Sequence, residues 1–146
     1  MSSLSLPVAL PKLLSEVVQG PALLPIIQAD TPIEAVNIAR ALSDGGIGSV
    51  EVVLRTNDAL AGITAIRQAL PTLLVGAGTI LSSADAIAAK EAGAQFLVSP
   101  ASTPKLLEAM IDCGLPFAPG VATPSEIALA FEYGLTELKF FPAHLS

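Results

Sequence analysis

Two charged residues stand inside apolar, strand-like runs, and their chemistry sets the first question about this sequence. Lys139 lies in Glu137-Leu138-Lys139-Phe140-Phe141-Pro142-Ala143, just before the only histidine, His144. Lysine is a poor strand former and is rarely buried without a partner. Burial disfavours the ammonium form, and a free amine can attack a carbonyl and form a Schiff base. A lysine in such a run also suits a sheet edge, where it discourages aggregation. The second stretch, Val50-Glu51-Val52-Val53-Leu54-Arg55-Thr56, weighs against that simpler reading because it too places charges in an apolar strand.

The elements that must position these residues are marked by glycines and caps. Gly46, Gly93, Gly114 and Gly134 each follow a helical pattern and precede a short apolar run. Glycine just past a helix end supplies the left-handed C-cap, so these are helix-to-strand turns. The strands expected are 22–28, 50–54, 73–77, 95–99, 116–119 and 136–141. Helix starts stand at the opposite strand ends. Thr31-Pro32-Ile33-Glu34 and Thr123-Pro124-Ser125-Glu126 both read as capping boxes with proline in the first turn. Ser82 and Thr103 open weaker versions. The first helix carries apolar positions at Ile33, Val36, Ile38 and Leu42, and a further helix is expected over 12–19.

Short helices alternating with short strands imply βαβ units and a parallel sheet. The regular repeat favours a TIM-type (β/α)8 barrel, with about six of its eight βα units in this chain, as one partial barrel domain over 1–146. Strands one and six are therefore expected to keep open edges. No Gly-x-Gly-x-x-Gly follows the first strand, so the dinucleotide fingerprint is missing. Gly76-Ala77-Gly78-Thr79 resembles half a phosphate loop but lacks its lysine.

Composition narrows the function classes. The chain has 146 residues, 52% of them hydrophobic, with a formal charge of -6. Seven scattered Lys and Arg build no basic patch, which argues against a nucleic-acid partner. Mean hydropathy is +0.68, yet Pro, Gly and charges interrupt every run before the roughly 18 residues a membrane span needs. A parallel sheet covered by helices accounts for the excess. No basic region precedes the first apolar residues, so a secretory signal is not expected. The single Cys113 fits a reducing cytoplasm and reads as core filler.

In a barrel, alternate residues of each strand point inward, and alternate strands contribute to one layer. Glu51, Val53 and Arg55 share one parity on strand two; Lys139 and Phe141 share one on strand six. Glu51 and Lys139 are thus expected in one interior layer, each satisfying the other's buried charge. Arg55 then lies at the C-terminal mouth. On strand three, Val75, Ala77 and Thr79 share a parity, which is expected to bring the Thr79 hydroxyl to the same mouth. A structural ion pair with a helix cap at Thr79 is the alternative.

Five segments taken in order make a resemblance specific. They are the Glu51 stretch quoted above, Val75-Gly76-Ala77-Gly78-Thr79, Phe96-Leu97-Val98-Ser99-Pro100, Pro119-Gly120-Val121-Ala122-Thr123-Pro124-Ser125-Glu126 and Leu138-Lys139-Phe140-Phe141-Pro142-Ala143. Together they resemble the bacterial 2-keto-3-deoxy-6-phosphogluconate (KDPG) and 4-hydroxy-2-oxoglutarate (KHG) aldolases. The resemblance implies class I aldol chemistry on a keto-acid substrate, a homotrimer, and no metal or other cofactor. It implies that Lys139 forms the Schiff base and that Glu51 is the general acid/base. Arg55 and Thr79 would grip the pyruvyl carboxylate, while Pro100 and Phe141 wall the pocket. His144 stands where the family usually has an acidic residue and reads as a residue behind the pocket or at its rim, not as a catalytic one. The family's seventh and eighth units, whose glycine-rich turns hold the substrate phosphate, have no counterpart in these 146 residues. Two other readings stay open: a phosphate-binding barrel isomerase or synthase, and a non-catalytic remnant.

Overall fold

The structure is a computed structural model that describes residues 9–145. Five strands form one sheet in chain order: β1 (Ile26–Ile27), β2 (Ser49–Val53), β3 (Leu74–Gly78), β4 (Leu97–Val98) and β5 (Phe117–Ala118). A second ladder joins β6 (Gly120–Val121) to β7 (Lys139–Phe140). Every pairing is parallel. The helices are α1 (Pro32–Asp44), α2 (Ala59–Ala69), α3 (Ser83–Glu91), α4 (Pro104–Cys113) and α5 (Pro124–Glu132). This is the parallel α/β order of a TIM-type barrel, with six strand positions and five connecting helices among the described residues.

The caps form as the sequence predicts. Thr31, Ser82, Thr103 and Thr123 each accept a hydrogen bond from a backbone N–H in the first turn of α1, α3, α4 and α5. Glu126 closes a reciprocal box on the Thr123 N–H at 2.8 Å. Glu34 instead accepts from the N–H of Asp30, so the first box is open. Gly46, Gly93, Gly114 and Gly134 all have positive φ, as their turn positions require.

Three expectations are corrected. The strand expected at 116–119 is divided at Pro119, which has no N–H to continue the ladder. Its first half pairs with β4, while beyond the proline β6 pairs with β7. The helix expected over 12–19 is a single 3-10 turn, Leu14–Glu16. Ile33 is 75% exposed, and α1 instead buries the small residues Ala35 and Ala39.

The core has two parts. The larger lies between sheet and helices, where Val50, Val52, Val75, Ala77 and Leu97 meet Ile63, Ile66, Leu107 and Met110. Cys113 is buried there as a free thiol. The smaller lies inside the sheet's curve, where Leu74, Phe96 and Val98 pack against Leu14, Val17 and Leu24. This division corrects the parity expected on the third strand: Val75 and Ala77 face the helices, and Leu74, Gly76 and Gly78 face inward. Among the described residues β1 pairs only with β2, and β7 only with β6, so both outer edges are open as expected.

Candidate active site

Glu51 sits at the centre of β2, a strand buried along its whole length, and is itself 3% exposed. Register pairs it with Gly76 on β3. Its carboxylate lies across Gly78, where a Cβ would come within 1.8 Å of Oε1. The neighbouring Gly76 makes room for the Phe96 ring, 2.2 Å from the position a Cβ would take. The pair of glycines that looked like half a phosphate loop is thus the floor on which Glu51 and Phe96 rest. Glycine at i and i+2 of a strand was the signal for such a close approach on one face.

Oε1 of Glu51 is buried without a hydrogen-bond partner among the described residues. Such a group costs about 1–3 kcal/mol and more when charged. Burial pushes the Glu51 carboxyl above its ordinary value, while the charges of Lys139 and then Arg55 pull it partly back. The carboxylate and lysine therefore sense each other, but the full mutual satisfaction expected from parity is not reached. Lys139 is only half-buried. Its backbone is fixed by the Lys139 N–H donating to Pro119 O at 2.9 Å and by the Phe141 N–H donating to Val121 O at 3.0 Å. The ammonium lies 4.8 Å from the centroid of the Phe141 ring, a contact of roughly 0.5–2 kcal/mol.

Arg55 and Thr79 do come together. Arg55 Nε donates to Thr79 Oγ1 at 3.3 Å, just past the C-terminal ends of β2 and β3. Thr79 does not reach this place by strand alternation, since its parity partners face the helices. The strand stops at Gly78, and Thr79 turns back with φ of 61°. A β-branched residue in that region is strained by about 1–3 kcal/mol. Arg55 is exposed and keeps its remaining donors available.

Pro100, half-buried, stands over the strand that carries the lysine's partner. A Cβ on Gly120, which pairs with Lys139, would lie 2.5 Å from the Pro100 carbonyl carbon. Ser99, missed in the sequence, ties this corner together: its hydroxyl donates to Ala101 O at 2.7 Å and accepts from the Gly120 N–H at 3.4 Å. His144 is exposed in the turn Ala143–Leu145.

A buried carboxylate coupled to a lysine, with an exposed guanidinium nearby, is an arrangement able to hold a keto acid and move its protons. Comparison with known proteins decides the family: the KDPG and KHG aldolase profile matches residues 14–146. The chain belongs to the KDPG and KHG aldolase family. Among the family's members, 2-dehydro-3-deoxy-phosphogluconate aldolase of Treponema pallidum is 42% identical over 130 residues, 89% of this chain and 62% of the relative. The KHG/KDPG aldolase of Escherichia coli K12 is 44% identical over 124 residues, 85% of this chain and 58% of the relative. The chain thus spans about three-fifths of the length of these curated relatives. A crystal structure of KDPG aldolase from Legionella pneumophila, with pyruvate captured at low pH as a covalent carbinolamine, superimposes with a TM-score of 0.80. It is 36% identical, over 84% of this chain and 59% of that one.

The glycine floor of this aldolase-family chain gives an expected result that needs no substrate. Gly78→Ala places a methyl group on the Glu51 carboxylate and should cost about 1–3 kcal/mol through overpacking. Adding Glu51→Ala should return part of that loss, because the clash goes with the side chain. Urea denaturation of the two single variants and the double variant measures this; strictly additive costs would show that the two side chains do not meet.

Proposed function

We propose that this chain carries the Schiff-base centre of a class I aldolase, a lyase. Its substrates are 2-dehydro-3-deoxy-6-phosphogluconate, cleaved to pyruvate and glyceraldehyde 3-phosphate, and 4-hydroxy-2-oxoglutarate, cleaved to pyruvate and glyoxylate. The observation that carries this reading is the coupling of buried Glu51 to Lys139 in a chain whose Legionella relative captures pyruvate covalently.

In this reading the Lys139 amine adds to the C2 carbonyl. Glu51 delivers a proton to the departing hydroxyl, and water leaves as the protonated imine forms. Glu51 then takes the proton of the C4 hydroxyl. The C3–C4 bonding electrons move into the imine, releasing the aldehyde and leaving an enamine. Protonation at C3 and hydrolysis free pyruvate and restore the lysine. A carboxyl raised above its ordinary value suits both proton transfers, since donor and acceptor forms coexist closer to neutral pH. Arg55 and Thr79 hold the substrate carboxylate, for which a guanidinium fork is the natural partner. Pro100 and Phe141 wall the pocket.

We further assign the chain to one partial barrel domain across 1–146, to a homotrimer, to the cytoplasm and to the Entner-Doudoroff pathway. Exposed Ile33, Leu81 and Phe131, at 75%, 60% and 57%, supply apolar surface for subunit contacts. Among the described residues no helix is long and apolar enough to cross a membrane.

The test is pyruvate release from each substrate, with Arg55→Ala as the diagnostic variant. Its partner is a carboxylate present from binding to transition state, so KM should rise about ten- to a hundredfold with little change in kcat. A loss confined to kcat would take Arg55 off the carboxylate.

A further inference from the structure

The N-terminal segment crosses the floor of the barrel and is fastened at one end just ahead of β7 and at the other to the first residue of β2, the two strands that carry the candidate catalytic pair. At one end, both oxygens of Glu137 accept from Ser15: its N–H donates to Oε2 at 2.9 Å and its hydroxyl to Oε1. Glu137 stands two residues before Lys139. At the other end, the Gln19 N–H donates to Ser49 Oγ at 2.8 Å, and that hydroxyl donates back to Gln19 O at 3.2 Å. Ser49 is completely buried, opens β2 and stands two residues before Glu51. Two residues is one strand repeat, so Ser49 lies on the same face of β2 as Glu51, while Glu137 lies in the segment that leads into β7, just ahead of Lys139. The approach at Gly48 is close enough that a Cβ would lie 2.6 Å from Gln19 O. Leu14, beside the first fastening, and Val17, between the two, pack on Leu74, Phe96 and Val98 inside the sheet's curve.

We propose that this segment is a strap that sets the separation of β2 and β7, and through it the spacing of Glu51 and Lys139, with Ser15, Glu137 and Ser49 as positioning residues. The reading rests on the Schiff-base function proposed above for Lys139 and Glu51. The ladder explains why a strap is needed. β7 is two residues long, pairs only with β6 among the described residues, and lies across the Pro119 break from the sheet that holds β2. No continuous run of strand hydrogen bonds therefore links Glu51 to Lys139. The strap supplies a second connection, from one side of the floor to the other.

The experiment compares the parent chain with Ser15→Ala, Glu137→Ala, the double variant and Ser15→Thr, which keeps the hydroxyl. Two steps separate spacing from access. Borohydride trapping of pyruvate needs only the lysine imine, whereas exchange of the pyruvate methyl protons with D2O needs that imine and also a base at the right distance. The strap predicts trapping at Lys139 in every variant, with exchange reduced about ten- to a hundredfold in the alanine variants, the size of effect expected for misplaced groups. The double variant should be no worse than Glu137→Ala, because Ser15→Ala alone keeps the backbone N–H bond to Glu137, and Ser15→Thr should behave close to the parent. Carbon-13 titration of the Glu51 carboxyl gives a readout without pyruvate. Its midpoint should rise when Lys139 moves away, with Arg55 the other charge acting on it. Parent-like exchange, or an unmoved Glu51 midpoint in the double variant, overturns the strap. Absence of trapping in the parent chain itself refutes the Schiff-base function instead, and the titration still decides whether the strap sets the spacing.

Discussion

A Lys139→Met variant is expected to lose pyruvate capture entirely and to fall in kcat/KM for aldol cleavage by about 10⁵ or more, the scale seen when an enzyme nucleophile is removed. Methionine keeps an unbranched side chain of similar length and takes away only the amine. The fold should survive the change. Lys139 is half-buried, its strand is held by backbone bonds to Pro119 and Val121, and its side chain contributes little beyond the contact with Phe141. A thermal melt close to that of the parent, together with absent activity, is the expected pair of results. Appreciable cleavage by this variant would remove the covalent mechanism.

Glu51→Gln should have the next largest effect, lowering kcat by about 10²–10⁴, the usual worth of a general acid/base. The same substitution should stabilise the protein at neutral pH. Burial raises the carboxyl above its ordinary 4.5, so the folded chain binds this proton more tightly than the unfolded chain. That contribution to stability is fully present below 4.5 and is lost as pH rises through the folded-state value. Glutamine carries no titrating proton and removes this loss. Melting temperatures measured from pH 4.5 upward should therefore decline less in the variant and cross above the parent's. Unchanged kcat would assign the carboxylate to structure, and an unchanged pH slope would mean that its burial carries no free-energy penalty.

The sequence made some of this legible because local chemistry was sufficient. Thr31, Ser82, Thr103 and Thr123 mark helix starts through hydrogen bonds made within three residues. Glu51 and Lys139 stood out because charges in apolar strands need a reason. What escaped depends on packing between distant elements. Val75 and Ala77 share the parity of Thr79 and were expected inward with it, yet they pack in the larger apolar core on the helix side of the sheet. The inward positions Gly76 and Gly78 are small because Phe96 and Glu51 occupy the space above them. Thr79 reached its expected neighbour Arg55 through a left-handed turn that no periodicity announces. The N-terminal segment shows the same limit: the partners of Gln19 and Ser15, Ser49 and Glu137, lie 30 and 122 residues away.

Everything proposed for the keto acid depends on Lys139 supplying the amine that captures it. Incubation with pyruvate and borohydride, followed by intact mass and peptide mapping, tests it most directly. One pyruvyl unit, placed on Lys139 and absent from Lys139→Met, is the predicted result. Labelling at Lys12, Lys90 or Lys105, or no labelling at all, would contradict it.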